Sequence, residues 1–366
     1  MKTERRHDID WLRVIAIALL LMYHIAIIFQ PWAMFIAFIR SDEMSTALWQ
    51  PMTMLNVWRI PILFYVSGMG VYFAMRKRSS LALIKERARR ILVPFLFGFL
   101  AITPLHMFVF QDYYNMGLSY YPHMGHLWFL GNIFVYVLIC LPVFYAVKNN
   151  KASRLIAVFN KLIKNPIGLL SVNILFIAEV VWLQPKPFSM YAETLHGFML
   201  GLFAFLLGFL FMNSGKVFWK TIAKWKWGYL FLAVVLYIIR FKMFATEGLP
   251  YITVIEMNSW IFSIFGFCYR YLNKPSRLLS YLSTAAYPVY IIHMIVMYLA
   301  AKFILPFHFP AFLSFVLITL VTFAGCYLIY EFIIRRVFWL RPLFGLKLKP
   351  TKLKMNSKED IMINLD

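Results

Sequence analysis

Apolar residues run through this chain in blocks of about twenty, each closed by a short polar or basic stretch. Twenty residues is the length a helix needs to cross the hydrocarbon layer of a bilayer. Ten such blocks can be placed, near 11–34, 51–75, 91–110, 127–147, 166–184, 195–213, 227–243, 250–268, 286–305 and 310–334. They predict an all-α fold, a polytopic membrane bundle of about ten transmembrane helices. The connections are too short to hold a soluble domain, and no internal repeat is visible. Residues 1–340 therefore read as one transmembrane domain and residues 341–366 as a short basic tail.

Composition agrees, because 62% of the 366 residues are hydrophobic and only 14% are charged. A soluble protein of this size could not cover itself with so little charge. The net charge of +22 invites a nucleic-acid partner until its distribution is considered. Basic residues collect in alternate connections: Lys2 to Arg6, Arg76 to Arg90, Lys148 to Lys164, Lys216 to Lys226, Arg270 to Arg277, and onward from Arg335. These account for 30 of the 37 Lys and Arg, while Arg40, Lys186, Arg240, Lys242 and Lys302 fall on the other side. That asymmetry orients the helices with both termini cytoplasmic and brings the bilayer's anionic headgroups into contact with the chain. No nucleic-acid partner is expected. The first apolar block is too long for a cleavable signal peptide and lacks a small-residue cleavage site, so it reads as a retained first span. Cys140, Cys268 and Cys326 lie in separate blocks without metal-ligand spacing, so packing is expected of them and no metal site is predicted.

Against this background Arg13 and His24 stand out, because charged or ionisable groups inside a span are costly unless they face a polar interior. Their separation of eleven residues is close to three helical turns, so both point the same way, about 16 Å apart along the axis. Counting from the helix ends places His24 roughly 20 Å from the cytoplasmic side. Arg59, Glu179 and Glu256 fall in the same layer, roughly 10 Å below the outer surface. A histidine, an arginine and two carboxylates in a low-dielectric layer are the material of an acid/base site. The plainer reading has His24 bridging helices, with Glu179 and Glu256 as partners of Arg59 and Lys242.

Other polar positions fit this frame. His293, counted from the start of its block at 286, falls nearer the cytoplasmic half. Glu331 and Arg335, four residues apart, read as a helix salt bridge. Asp10 either pairs with Arg13 three residues on or complements the helix dipole. The outer loop 111–126 has no Lys or Arg but several tyrosines, including Tyr120 and Tyr121, which suit sugar stacking and an interfacial aromatic belt equally. Arg87, Arg89 and Arg90, placed just before the third span, direct guanidinium groups and a helix N-terminus at one spot. That is a phosphate site or a positive-inside anchor.

These residues resemble the acyltransferase 3 family of integral membrane acyltransferases. The resemblance rests on Asp10-Trp11-Leu12-Arg13 followed by Tyr23-His24, an Arg-x10-His signature opening the first span. It continues in Phe64-Tyr65-Val66-Ser67-Gly68, in Arg87 and Arg90 before Pro94, in His126-Leu127-Trp128-Phe129-Leu130, and in Tyr287-Pro288-Val289-Tyr290-Ile291-Ile292-His293. Arg59, eight residues before Ser67, together with the HLWFL run, looks most like the glucan-modifying branch, glucans biosynthesis protein C.

The resemblance implies an acyl-CoA-dependent O-acyltransferase of a bacterial plasma membrane. It implies no permanently bound cofactor, with acyl-CoA (acetyl-CoA or succinyl-CoA) as the donor and an extracytoplasmic glycan or lipid-linked sugar as the acceptor. By position His24 is its essential histidine and Arg13 that residue's partner, with Arg59, Glu256 and Glu179 as further catalytic candidates. Arg87, Arg89, Arg90 and Ser67 are the candidates for holding the CoA, and His126, Trp128, His293 and Tyr121 those for the acceptor. The chain carries none of the appended SGNH-type domain of some members, so transfer is expected to finish in the membrane unit or on another protein. Buried ionisable groups also mark transport pathways, which makes a transporter or flippase for a lipid-linked or small anionic substrate the alternative. A sensor or scaffold with purely structural intramembrane charges is the third reading.

Overall fold

A computed structural model of the protein describes residues 5–76, 78–244 and 248–348. Lys2, Lys77 and the tail beyond 348 lie outside the described residues. Ten helices are long and apolar enough to cross a membrane, and they match the ten apolar blocks. They are span 1 (His7–Ile27), span 2 (Thr46–Met75), span 3 (Ser80–Tyr113), span 4 (Gly125–Lys148) and span 5 (Pro166–Leu183). Span 6 (Leu195–Ser214), span 7 (Lys216–Met243), span 8 (Pro250–Tyr271), span 9 (Arg277–Phe307) and span 10 (Ala311–Ile334) complete the set. Among the described residues every regular element is helical. Spans 2, 6, 8 and 9 form the buried interior, and spans 7 and 10 are the most exposed to lipid. The three cysteines are free and buried.

Spans 2 and 6 approach so closely that each needs a glycine at the crossing. A Cβ on Gly68 would stand 1.9 Å from the Phe205 carbonyl oxygen, and one on Gly208 only 2.1 Å from that of Tyr65. Small residues let backbones meet where no water-driven term holds helices together. The Phe64 to Gly68 run is thus explained first by packing, with Phe64 and Tyr65 fully buried beside it. Gly208→Val is expected to force the two spans apart at a cost of about 1–3 kcal/mol or more. The measurement is the monodisperse fraction on size-exclusion chromatography in detergent, which should fall sharply.

Prolines inside the spans free backbone carbonyls, and tyrosines answer them. Pro61 cannot donate to the Val57 carbonyl, which instead accepts from the Tyr191 hydroxyl at 3.0 Å. Pro104 frees the Leu100 carbonyl, which accepts from the Tyr120 hydroxyl at 2.8 Å. An unanswered carbonyl in a membrane costs several kcal/mol, so these tyrosines fasten the connections after spans 5 and 3 to spans 2 and 3. Burial holds the Tyr191 hydroxyl well above its ordinary pKa, so it remains a donor.

Basic residues gather at the end of the bundle that holds the start of span 1. Arg6 lies 3.8 Å from the Trp219 ring, His7 N–H donates to Asn273, and Lys148 donates to the carbonyls of Met75 and Arg78. Glu331 and Arg335 form the expected salt bridge at 2.7 Å. Two placements differ from the sequence reading. Span 3 starts at Ser80, capped by Ser79, because Leu81 to Arg87 are good helix formers. Arg87, Arg89 and Arg90 therefore sit two turns inside the helix, away from its N-terminus. Arg240 of span 7, expected at the outer surface, is buried because Glu256 of span 8 is its partner.

Candidate active site

The face of span 1 that carries Arg13 and His24 places Ile17 and Leu20 between them, both buried, while the two polar residues are half-buried. His24 Nδ1 lies 2.9 Å from His293 Nε2 of span 9, with the two rings in nearly parallel planes 3° apart. His24 Nε2 has no hydrogen-bond partner among the described residues. Span 2 brings Arg59 to the same place, its guanidinium 3.8 Å from the centroid of the Tyr23 ring. Arg59 Nη2 donates to Asn56 Oδ1 at 3.2 Å, while Nε and Nη1 are buried without a partner. No carboxylate pairs with Arg59 among the described residues, although the group is 2% exposed. A buried guanidinium with idle donors beside a histidine is a preformed seat for negative charge.

The connection after span 1 and the first turn of span 2 close over this centre. Phe38 lies 5.9 Å from the His24 ring, and Trp49, itself edge-on to Trp32, lies 5.2 Å from Tyr23. Aromatic cover of this kind excludes water from polar groups and strengthens their electrostatics.

Arg13 lies at the basic end of the same face of span 1. Its guanidinium lies 3.5 Å from Asp10, which settles the role of that carboxylate as a partner, and stands against Gly70 of span 2. Arg87 Nη2 reaches the Gly70 carbonyl at 3.2 Å, so two guanidinium groups meet over one glycine. Glu86 sits between Arg87 and Arg90, at 3.2 and 3.0 Å, and holds both side chains at the mouth. Arg89 and Arg90 are exposed. The arginines come from spans 1 and 3, so the mouth exists only in the folded bundle.

A family model described as an acyltransferase domain, Acyl_transf_3, matches residues 6–331. The chain belongs to the acyltransferase 3 family. No curated protein and no solved structure matches it. As a member of the acyltransferase 3 family it is a membrane acyltransferase.

Several site residues stand elsewhere than the sequence placed them. Glu256 is fully buried against Arg240, which grips both its oxygens at 2.7 and 2.9 Å and also donates to the Thr53 carbonyl. Glu179 Oε1 and His196 Nδ1 share a hydrogen bond at 2.7 Å. Neither carboxylate touches His24, because each is bonded to a nearer side chain on a neighbouring helix. Tyr191 stacks on His196 at 5.6 Å, binding this second polar cluster to span 2 through its bond to Val57. His293 is level with His24 rather than near the cytoplasmic half, because span 9 begins at Arg277 and not at 286. Trp128 is buried and packs edge-on against Phe64 in the core. Ser67 Oγ donates back to the Leu63 carbonyl at 2.7 Å, the usual resting bond of a helical serine.

His126 lies edge-on to His293 with ring centroids 4.9 Å apart, and beyond it stand His106 and His123. Tyr121 is exposed on the outer loop, 5.6 Å from His123. Burial holds the His123 imidazole below its ordinary pKa, so it is neutral at neutral pH. His106, His196 and Tyr191 were not singled out in the sequence. Each is one polar residue near the end of an apolar block, with no spacing to mark it. Among the described residues no three His, Cys, Asp or Glu converge as metal ligands do.

Proposed function

We propose that the protein moves an acyl group from cytoplasmic acyl-CoA to a hydroxyl of an extracytoplasmic glycan or lipid-linked sugar in a bacterial plasma membrane. The observation that supports this reading is one face of span 1 that carries Arg13, beside Arg87 over Gly70 at the basic end, and His24, beneath the aromatic cover. The positive-inside rule puts the basic end in the cytoplasm, where acyl-CoA is made. Arg87 and Arg90 meet the phosphates, Arg13 stands at the entrance, and the thin pantetheine arm lies along span 1 with its thioester at His24.

His24 takes the proton from the acceptor hydroxyl as general base. The new C–O bond forms as the C–S bond breaks, Arg59 steadies the charge on the carbonyl oxygen, and His24 returns the proton to the CoA thiolate. The acceptor comes from the outer side, past Tyr121 and His123.

The test is CoA release by membranes supplied with acetyl-CoA or succinyl-CoA. Wild type is compared with an Arg87→Gln, Arg90→Gln double variant at matched abundance. Loss of two charge-assisted contacts of about 1.5–3 kcal/mol each raises KM for the donor at least tenfold while kcat changes little. Release that is unchanged in the double variant removes the arginine mouth from the reading. Absence of release from either donor by well-folded protein abandons it in favour of transport.

A further inference from the structure

The contact between His24 and His293 fixes which nitrogen of His24 is the base. His293 Nδ1 lies 2.7 Å from the Tyr290 carbonyl oxygen, which can only accept, so this nitrogen carries a proton. In a neutral ring Nε2 then holds the lone pair. That lone pair faces His24 Nδ1 at 2.9 Å, so His24 Nδ1 must be the N–H donor. The remaining nitrogen, His24 Nε2, is left with a free lone pair on a half-buried side chain. The competing arrangement makes His293 an imidazolium, fully buried and within electrostatic range of the Arg59 guanidinium. Two unpaired positive charges in that layer are far costlier than one.

His126 braces the arrangement. Its Nε2–H donates to the Ile291 carbonyl at 3.1 Å, and its own carbonyl accepts from the Tyr290 hydroxyl. The turn of span 9 that supplies the Tyr290 carbonyl is therefore held from both sides by the start of span 4. A carbonyl, a first imidazole and a second imidazole stand in series, where a hydrolytic triad has a carboxylate and one imidazole.

We propose that His293 is a positioning residue: it holds His24 as the Nδ1–H tautomer and so aims Nε2 at the acceptor hydroxyl. The sequence reading had given His293 to the acceptor, and this assignment replaces that role. It rests on His24 being the general base, and the experiment separates the two claims. Membranes carrying wild type, His24→Ala, His293→Leu and His293→Gln are compared for kcat and KM in CoA release, at matched abundance and matched melting temperature in detergent. A glutamine at 293 offers an amide oxygen to His24 Nδ1–H and an amide N–H to the Tyr290 carbonyl, so it restores the tautomer without an imidazole. Leucine offers neither.

His293→Leu is expected to lower kcat by about 10²–10⁴-fold, the scale of a mis-set tautomer, with KM for acyl-CoA unchanged. His293→Gln is expected to recover the rate to within about tenfold of wild type. Full activity in His24→Ala removes the base itself. An inactive His24→Ala beside a fully active His293→Leu overturns the positioning role alone. Glutamine as inactive as leucine, in protein that melts normally, overturns it too, because both hydrogen bonds are then present without effect.

Discussion

His24→Ala is expected to drop CoA release by about 10²–10⁴-fold, the contribution of a positioned general base. In wild type His293 has both ring nitrogens engaged, and His126 has one nitrogen committed to the Ile291 carbonyl. Alanine also strips His293 Nε2 of its donor, so a second variant guards against a fold defect. His24→Gln keeps an amide donor for His293 and supplies no base, so it should accumulate like wild type and be equally inactive. The assay is CoA release per unit of protein, with melting temperature measured on the same preparations. A His24→Gln protein that turns over at the wild-type rate would falsify the general-base role.

Much of this was legible in the sequence, for physical reasons. Ten apolar blocks survive as ten spans because a bilayer tolerates only fully hydrogen-bonded helices. Arg13 and His24 could be placed on one face because helical spacing needs no tertiary information. Tertiary choice was not legible. Arg59 and Arg240 are both arginines in the outer parts of apolar spans, and nothing in either neighbourhood tells which one meets a carboxylate. The partner of Arg240 comes from span 8, and that of Glu179 from the next span in sequence through a residue at the edge of its block. Depth counts failed where helices outran their apolar blocks. Span 9 has nine residues before the block begins, enough to shift His293 by more than two turns.

That difference between the two arginines makes the last prediction. Arg240 and Glu256 are buried together, 3% and 0% exposed, and each satisfies the other. Arg240→Met leaves a carboxylate alone in the bundle and is expected to cost about 3–5 kcal/mol, seen as a large fall in melting temperature in detergent. Arg59→Met removes a buried charge that has only Asn56 and the Tyr23 ring for company, with two donors idle. The protein should then melt at a higher temperature than wild type, since the desolvation cost of an uncompensated ion disappears. At the same time kcat should fall by about 10²–10³-fold, the loss seen when one oxyanion donor is removed. Stability and activity moving in opposite directions is the signature of a group kept for a charge that appears only during reaction. If Arg59→Met melts early, as Arg240→Met should, Arg59 is a structural cation and the seat for the carbonyl oxygen lies elsewhere.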